Sequence, residues 1–485
     1  MKKKWKTMGI VFVMAIMLVF SNHNIVSAAT TDNVLVANVI TDEALFNAVC
    51  KAYNTAKGES KTKTNFRYAD LRSLDGILDL SGATSVKEIP EKAFDNCNFT
   101  KVVLPNSVTT IGANAFQDCS SLEEINLTDN ITKLGEQAFT NCEKLTTFNS
   151  NNTLPKKLTS VGNNVFANDK ALKSIILSLQ GNNPNVFESA TGIFQNCTAL
   201  EKITIGSGVA KIPVSAFVNA GTSEGNTGVV VTFSKDFVQV LASAFEGVTF
   251  AKDSTIDFSQ CNALAGIGAR AFYKSKNLTK VILPKTTSNN GGVTLGAAAF
   301  AKSELTTMYP KGMEDPAGIY LPDYVEKVEE GCFFGNKVFT EVSISPNLTE
   351  LADNVFDYCV LLAKVEQRVD EDGNCSVTAI GDCAFRGTAI TDTKFLLSMN
   401  QLKQIGYQHI EDTQYCMRSG VWDGDETNGK LTQEGKIESL PLGGRIVNPN
   451  DVKMDGDKQK TSSGALVGSE VFSDCYNLTE VVIPD

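Results

Sequence analysis

Histidine is nearly absent from this chain, because its 485 residues include only His23, in the N-terminal segment, and His409. Histidine is a common general base and a common zinc ligand, so its scarcity argues against histidine-dependent catalysis and against a histidine-containing zinc site. The patterns Gly-x-Ser-x-Gly, His-Glu-x-x-His and Cys-x-x-Cys are missing as well, and no phosphate-binding glycine loop occurs. We therefore expect no catalytic residues, no metal, no cofactor and no enzyme activity.

Basic residues are also in short supply. The chain has 44 lysines and arginines against 55 acidic residues, which gives a net charge of −11. Four of those lysines (Lys2, Lys3, Lys4 and Lys6) stand at the extreme N-terminus, so the remainder is more acidic still. An acidic surface repels nucleic acid and anionic lipid. We expect neither to be a partner.

The first 28 residues have the features of a secretory signal peptide. The four lysines precede an apolar run over residues 9–20, which is too short to span a bilayer comfortably. Val26, Ser27 and Ala28 then supply the small residues of a cleavage site. We predict cleavage after Ala28 or Ala29, no membrane insertion after the signal is removed, and a secreted or cell-surface location. An uncleaved anchor is the alternative.

What the chain has in abundance is a repeat. The motif Ala-Phe-x-x-Cys is built around Phe94, Phe116 and Phe139, at intervals of 22 and 23 residues, and most later intervals fall between 23 and 29. Such periods are typical of a solenoid, in which each unit buries its apolar face only against its neighbours. Because a solenoid presents an extended surface, binding is the expected role. Looser copies are centred on Phe166, Phe194, Phe217, Phe245, Phe272, Phe300, Phe333, Phe356, Phe385 and Phe472.

The cysteines follow the same repeat. Half of the 12 lie three residues after a repeat phenylalanine, which we call the Phe+3 position. Since other copies place small residues there, we interpret these cysteines as buried free thiols that pack like small apolar groups. Disulfides between adjacent copies remain the alternative. The six are Cys97, Cys119, Cys142, Cys197, Cys359 and Cys475, and six further copies have Asp169, Ala220, Ser275, Ser303, Asn336 and Thr388.

Each copy has the same internal order. In one copy Leu122, Ile125 and Leu127 are predicted to face inward from a strand, while Glu124 and Asn126 face outward. Proline often ends this strand, and a second short alternating segment then precedes the Ala-Phe turn. A glycine recurs after that second segment, and we interpret it as a tight backbone bend. These glycines are Gly112, Gly135, Gly162, Gly268, Gly381 and Gly406.

A cap and several insertions complete the predicted organisation. Residues 41–50 have the pattern of a helix with Thr41 as its N-cap, and residues 76–81 read as the first strand. Insertions in solenoids often carry binding determinants, although tolerated surface variation is an equal alternative. Insertions are predicted near residues 179–187, 220–228, 285–292, 308–318 and 367–376. The predicted domains are a signal peptide (1–28), an N-terminal cap (29–75), repeats (76–410), an insertion (411–465) and a further repeat that is truncated or continues (466–485).

Together, these strand, glycine and Ala-Phe-x-x-Cys motifs resemble the BspA-like class of leucine-rich repeats over about residues 76–410 and 466–485. The resemblance implies an α/β-type repeat solenoid that is mostly β: a right-handed leucine-rich repeat coil with a parallel sheet and an N-terminal helical cap. It further implies a secreted or surface protein associated with adhesion to host or matrix proteins and with contact between bacteria. It implies no catalytic residues.

The candidate binding residues are outward positions on the concave strand face. Tyr309, Tyr320, Tyr324 and Trp422 are aromatic exceptions in or near insertions. The acidic loops 370–374 and 423–426 have oxygen ligands that calcium would accept, but solvated turns are the favoured interpretation, so no metal site is predicted. The candidate residues are Lys101, Glu124, Asn126, Asn149, Lys202, Lys280 and Glu341.

We therefore predict an exported, non-enzymatic recognition or adhesion module. Its expected partner is a protein or glycoconjugate of a host, a matrix or a neighbouring cell, bound through the repeat surface. One alternative is a structural spacer that displays a wall-binding or catalytic domain beyond residue 485. Another is a glycan or small-ligand binder that uses the insertion 411–465. The oligomeric state is not predicted.

Overall fold

The computed structural model describes most of the repeat region and its cap. The predicted signal peptide, His409, Trp422 and the acidic loop 423–426 lie outside the described residues. Of the predicted insertion 411–465, only three short strands are described, so the domain boundaries there remain predictions. The described residues are 32–149, 151–180, 186–187, 189–399, 402, 404–405, 445–446, 453–455, 458–460, 466–467 and 471–481.

The chain coils into a solenoid whose longer strands form one parallel face, here called the long-strand face. In strands such as Ser174–Leu177 and Lys202–Ile205, buried and outward residues alternate. The face has three sections, and single bridges such as Glu124 to Thr147 and Val229 to Phe250 extend them toward one another. Its strands are Gly76–Asp79, Phe99–Val103, Glu124–Ile125, Ser174–Leu177, Lys202–Ile205, Val230–Phe233, Thr249–Asp257, Lys276–Leu283, Thr307–Pro310, Ile319–Tyr320, Glu341–Ile344 and Lys364–Gln367.

The second segment of each repeat forms another parallel face, here called the short-strand face. Toward the C-terminus, Gln404–Ile405 pairs with Leu466–Val467. Leu466–Val467 pairs antiparallel with Lys458–Lys460, which in turn pairs antiparallel with Lys453–Asp455. Arg445–Ile446 pairs with Glu480–Val481. The remaining strands are Glu88–Ile89, Thr110–Ile111, Lys133–Leu134, Ser160–Val161, Lys211–Ile212, Gln239–Val240, Gly266–Ile267, Val293–Leu295, Val325–Val328, Glu350–Leu351 and Ala379–Ile380.

The repeat phenylalanines form one continuous stack along the solenoid. Each ring lies nearly parallel to the next, with centroids 5.1 Å apart at Phe94 and Phe116 and 5.8 Å apart at Phe300 and Phe333. All but Phe472 are fully buried. Because the rungs of a parallel sheet repeat at about 4.8 Å, one phenylalanine per turn fills the interior without a gap. The stack extends to Phe472, which packs on Phe385 at 5.7 Å.

Two positions in each turn have a left-handed backbone: the second residue before and the second residue after the phenylalanine. In one turn these are Asn164 (φ 54°) and Asn168 (φ 65°), and in the next they are Gly192 (φ 62°) and Asn196 (φ 59°). Glycine adopts this conformation freely, and asparagine and aspartate tolerate it better than most residues. The turn chemistry therefore depends on these two positions.

The recurrent glycine has a different role from the predicted one. Gly112, Gly135 and Gly162 are not in the left-handed region. A Cβ at Gly135 would instead lie 2.4 Å from the backbone nitrogen of Ala113, in the preceding turn. The interpretation as a tight bend was therefore wrong in its cause, because adjacent turns approach too closely here for any side chain. Gly406 lies outside the described residues.

The N-terminal cap is helical, as predicted, but its helix begins one residue later. It spans Glu43–Lys57, and Asp42 is the N-cap, since its carboxylate accepts a hydrogen bond of 2.7 Å from the Leu45 amide. The prediction of Thr41 as N-cap was wrong, because the Asp42 side chain is the one that reaches this amide. The helix ends at Gly58, which has a left-handed φ of 67°.

The cap is joined to the first turn of the solenoid by polar contacts. A short helix, Tyr68–Arg72, follows the cap helix. The Tyr68 hydroxyl donates to the Ala93 carbonyl at 2.9 Å, and Asn98 donates to the Arg72 carbonyl at 2.7 Å.

Short 3-10 helices occupy Val36–Asn38 and Lys394–Ser398. Solenoid, parallel sheets and helical cap together confirm the predicted fold class. In the described part of the chain, no helix combines the length and apolar character needed to cross a bilayer.

Candidate binding surface

The Phe+3 cysteines are used for packing. Cys97, Cys119, Cys142, Cys197 and Cys359 are buried and free, which confirms the interpretation as thiols. The cysteine of one turn donates its S–H to the phenylalanine carbonyl of the preceding turn, for example from Cys119 to Phe94 at 3.1 Å. Burial raises the pKa of the Cys119 thiol and keeps it protonated. These sulfurs are therefore not nucleophiles. Cys475 is also free and is half-buried. Cys383, which lies two residues before Phe385 and so is not a Phe+3 cysteine, forms a disulfide.

Asp169 occupies the Phe+3 position between Cys142 and Cys197, and its side chain is fully buried. Its Oδ1 accepts a hydrogen bond of 2.9 Å from the Cys142 amide, whereas its Oδ2 has no hydrogen-bond partner among the described residues. Burial raises the pKa of this carboxyl well above its ordinary value. The folded state therefore favours the protonated acid, and ionisation opposes folding.

Replacing Asp169 by cysteine is expected to stabilise the protein at neutral pH. The new thiol would restore the repeat chemistry by donating to the Phe139 carbonyl, and the Cys142 amide would keep its bond to that carbonyl. Because the carboxyl pKa is raised in the folded state, wild-type stability falls as the pH rises above about 4, the unfolded value. We expect the variant to exceed the wild type in free energy of unfolding, and this difference should be larger at pH 7.5 than at pH 4.5 by more than about 1 kcal/mol. Urea denaturation in reductant at the two pH values measures it. Equal stabilisation at both pH values would contradict this.

An asparagine ladder runs along the solenoid beside the cysteines, and the sequence analysis missed it. Asn141 donates to Asp118 at 2.6 Å, Asn168 to Asn141 at 2.8 Å, Asn196 to Asn168 at 2.9 Å and Asn219 to Asn196 at 3.0 Å. Each ladder residue also has the left-handed backbone described above. Its recurrence two residues after the phenylalanine could have revealed it. These amides are engaged with one another, so they strengthen the edge of the solenoid.

The predicted binding residues all lie at outward or loop positions of the long-strand face, but their surroundings differ. Lys101 and Glu124, on adjacent strands, form an ion pair of 2.8 Å. Glu341 pairs likewise with Lys364 at 3.0 Å. Exposed pairs of this kind contribute little to stability, about 0–1 kcal/mol. They present a neutralised surface to a partner.

The two predicted asparagines bond to nearby backbone. The Asn126 side chain accepts from the Leu104 amide at 2.6 Å and donates to the Leu104 carbonyl at 3.1 Å. Asn149 organises the loop after it, because its Oδ1 accepts from the Thr153 amide at 3.1 Å and its Nδ2 donates to the Thr153 carbonyl. Both side chains therefore shape the strand ends that a ligand would meet.

Lys280 lies under one of the insertions. Its Nζ forms an ion pair of 2.5 Å with Asp315, which belongs to the predicted insertion 308–318. It also lies 5.7 Å from the ring centroid of Tyr309, a residue that is only 7% exposed. The hydrogen bond to Asp315 raises the pKa of Lys280 and lowers that of Asp315. The insertion therefore covers this part of the long-strand face.

Lys202 is the candidate that remains open to solvent. It lies in the middle section of the long-strand face, between Ser174 and Val230 on the adjacent strands. Its side chain is exposed and takes part in no ion pair among the described residues. Val230 is 47% exposed. This middle section combines an available cation with exposed apolar surface.

The acidic loop 370–374 is held together by one of its own aspartates. Asp370 Oδ1 accepts from the amides of Asp372 at 3.0 Å and Asn374 at 2.8 Å, so this carboxylate caps its own turn. The described residues contain no cluster of three or more His, Cys, Asp or Glu residues able to hold a metal ion. The solvated-turn interpretation accounts for Asp370.

A tyrosine-lined pocket lies in the third section of the long-strand face, and the sequence pattern indicated only part of it. Tyr320 and Tyr324 lie beside the insertions 285–292 and 308–318, as their positions suggested. Arg368 was missed, although its guanidinium lies 4.2 Å from the ring centroid of Tyr320. Arg368 is 48 residues away along the chain, so only the stacking of turns brings the two side chains together.

Comparison with known proteins identifies the repeat type. A family model described as a BspA type leucine rich repeat region, in six copies, matches residues 87–224, 242–315 and 315–415, which is more than half of the chain. No curated protein matches the chain.

Solved structures with a similar chain path have low sequence identity. A leucine-rich repeat protein from Bacteroides ovatus ATCC 8483 is 19% identical over 70% of this chain and 85% of that chain, with a TM-score of 0.46. A leucine rich cell surface protein from Faecalibacterium prausnitzii A2-165 is 20% identical over 66% and 79%, with a TM-score of 0.34. The pneumococcal vaccine antigen PcpA is 17% identical over 67% and 80%, with a TM-score of 0.35.

Proposed function

Because the chain belongs to the BspA-type leucine-rich repeat family, we propose that it is an exported, non-enzymatic recognition module that binds macromolecules of a host, a matrix or a neighbouring cell. The observation that carries this proposal is the open middle section of the long-strand face. We call it the central patch, and its outward residues are Ser174, Ile176, Lys202, Thr204, Val230 and Thr232.

The central patch has the composition of a protein-binding surface. Ile176 and Val230 supply apolar contact area, while Thr204 and Thr232 supply hydroxyls that can donate and accept hydrogen bonds. Lys202 contributes a charge that no described acidic residue neutralises, which favours an acidic site on the partner. The strands beneath are hydrogen-bonded on both sides of Lys202–Ile205. A rigid surface loses little entropy on binding.

The flanking sections have less to offer a partner. Lys101 and Glu124 neutralise each other, and so do Glu341 and Lys364. The loop that contains Asp315 covers Lys280. A ligand that met those positions would have to break an existing ion pair. We therefore place the principal contact at the central patch and assign the predicted residues outside it a peripheral role.

The double variant Lys202→Glu/Val230→Asp is expected to weaken ligand binding by at least about tenfold, because it reverses one charge and places another in the apolar part of the patch. The measurement is surface plasmon resonance against immobilised matrix proteins, mucin and bacterial surface components. Lys133→Glu is the matched control, since Lys133 is exposed on the short-strand face. The proposal fails if no ligand binds, or if Lys133→Glu weakens binding as much as the double variant does.

A further inference from the structure

Two insertions and the edge of the long-strand face line a shallow, open pocket of about 520 Å³. Its floor is aromatic and apolar, with Tyr320, Tyr324, Pro310 and Pro322, and its rim is polar. The volume falls within the range of about 300–1,000 Å³ that is usual for small-molecule sites. The rim consists of Lys285, Thr286, Thr287, Asp323, Glu326 and Asn347.

The two tyrosine rings are held in place before any ligand arrives. Arg368 lies against the ring of Tyr320 at 4.2 Å and is itself fixed by an ion pair of 2.5 Å with Asp323 and a hydrogen bond to the Leu321 carbonyl. The Tyr324 hydroxyl donates to the Pro284 carbonyl. Rings that are already ordered lose little conformational entropy on binding, so the Tyr324 ring and the face of Tyr320 opposite Arg368 can act as a stacking platform.

The polar rim carries groups suited to hydroxyl-rich ligands. Asn347 presents an amide that is oriented by a hydrogen bond of 2.9 Å from its Nδ2 to the Asp323 carbonyl. The Thr287 hydroxyl donates to the Leu264 carbonyl at 3.1 Å and accepts from the Asn289 amide at 3.0 Å, so it shapes the rim. Asp323 and Glu326 are exposed carboxylates, and that of Asp323 is 64% exposed. Planar amides and carboxylates accept from neighbouring hydroxyls, and hydroxyl groups both donate and accept. Vicinal diols of a sugar ring match this arrangement.

The charge at the pocket selects against anionic ligands. Lys285 is its single lining cation, whereas Asp323 and Glu326 line it with carboxylates, and the nearby Arg368 is already paired with Asp323. The chain as a whole is also acidic, with a net charge of −11. Sulfated or sialylated sugars would meet no excess of positive charge here.

We propose that this pocket binds a short neutral oligosaccharide, with a pyranose ring stacked on the tyrosine floor and its hydroxyls bonded to the rim. The site goes beyond the macromolecular contact proposed above, because it lies in another section of the long-strand face from the central patch. A glycoconjugate on a cell or matrix surface is the natural source of such a ligand. The two sites would then recognise the protein and the sugar parts of one surface.

The test is isothermal titration calorimetry with N-acetyllactosamine, chitotriose and maltotriose as neutral probes. Sialyllactose and a proline-rich peptide are titrated separately, as representatives of the alternative ligand classes. At least one neutral probe should bind, and Tyr320→Ala should weaken it by about tenfold or more because the stacking platform is lost. Tyr320→Phe should retain binding, and Asn347→Ala should weaken it without touching the floor. Tyr476→Ala is the matched control, since Tyr476 is 80% exposed and does not line the pocket.

Each outcome decides for or against the assignment. Binding of sialyllactose or the peptide in preference to the neutral probes would overturn it, as would the absence of binding or an equal loss in Tyr320→Ala and Tyr476→Ala. Circular dichroism of Tyr320→Ala and the binding affinity of Tyr320→Phe separate the loss of a contact from a loss of folding. The Lys202→Glu/Val230→Asp variant should bind the neutral probe with unchanged affinity, so failure of the central-patch proposal is distinguishable from failure of this one.

Discussion

Phe194→Ala is expected to lower the free energy of unfolding by about 3–5 kcal/mol, the usual cost of removing a buried aromatic ring. Phe194 is fully buried and stacks on Phe166 at 5.2 Å and on Phe217 at 5.7 Å. Its removal would open a cavity in the middle of the stack, between two turns whose backbones are already hydrogen-bonded and cannot close it. Urea denaturation followed by circular dichroism measures the loss.

The controls separate cavity formation from a general loss of surface. Phe194→Leu keeps most of the volume and should cost clearly less than the alanine variant. Tyr476→Ala, at an 80% exposed position, should change stability by no more than about 0.5 kcal/mol. Because each turn of a solenoid contacts only its neighbours, hydrogen exchange should rise most in the turns around Phe194. A cost below about 1 kcal/mol would show that the stack does not support the core.

Arg386→Met is expected to cost about 3–5 kcal/mol, because it leaves a buried carboxylate without its guanidinium. Arg386 and Asp357 lie on adjacent turns and form two hydrogen bonds of 2.9 and 2.6 Å. Their side chains are 6% and 1% exposed. The substitution removes two charge-assisted hydrogen bonds from a carboxylate that is buried away from water, whereas an exposed pair such as Lys101 and Glu124 would lose little.

A second substitution tests the physical cause. Arg386→Met combined with Asp357→Leu removes both charges, so most of the stability lost in the single variant should return. The matched surface variant Lys101→Met should cost less than about 1 kcal/mol. Thermal denaturation of the four proteins provides the comparison. If the double variant is as unstable as the single one, packing of the Arg386 side chain, rather than its hydrogen bonds to the Asp357 carboxylate, is the main contribution.

The repeat could be predicted from the sequence because its chemistry is local. Alternation in Leu122–Leu127 showed which side chains of a strand face inward, and the return of Phe94, Phe116 and Phe139 showed the length of a turn. The small residues at Phe+3 correctly indicated packing rather than disulfides along the stack. Local patterns failed where the cause lay in a neighbouring turn. Gly135 is required by the backbone of Ala113, a contact that spacing alone does not show.

The candidate site was less accessible to sequence reasoning. Alternation identified the outward positions Lys101, Lys202 and Lys280 equally well, because it reports only which side of a strand a residue faces. Whether an outward lysine is paired, open or covered depends on residues in other turns. Glu124 neutralises the first, no described acidic residue neutralises the second, and Asp315 from an insertion covers the third.

The amino-acid sequence by itself determined the repeat unit, its inward and outward positions and the family, since each of these follows from residues within one turn. The tertiary structure decided how the turns meet. Stacking brought Arg368 onto Tyr320, Arg386 onto Asp357 and the insertions to the rim of one pocket. The repeat period shows only what all turns have in common. Binding surfaces and buried charge pairs occur where the turns differ, so the residues that contact one another there are known only when the turns are stacked in the folded structure.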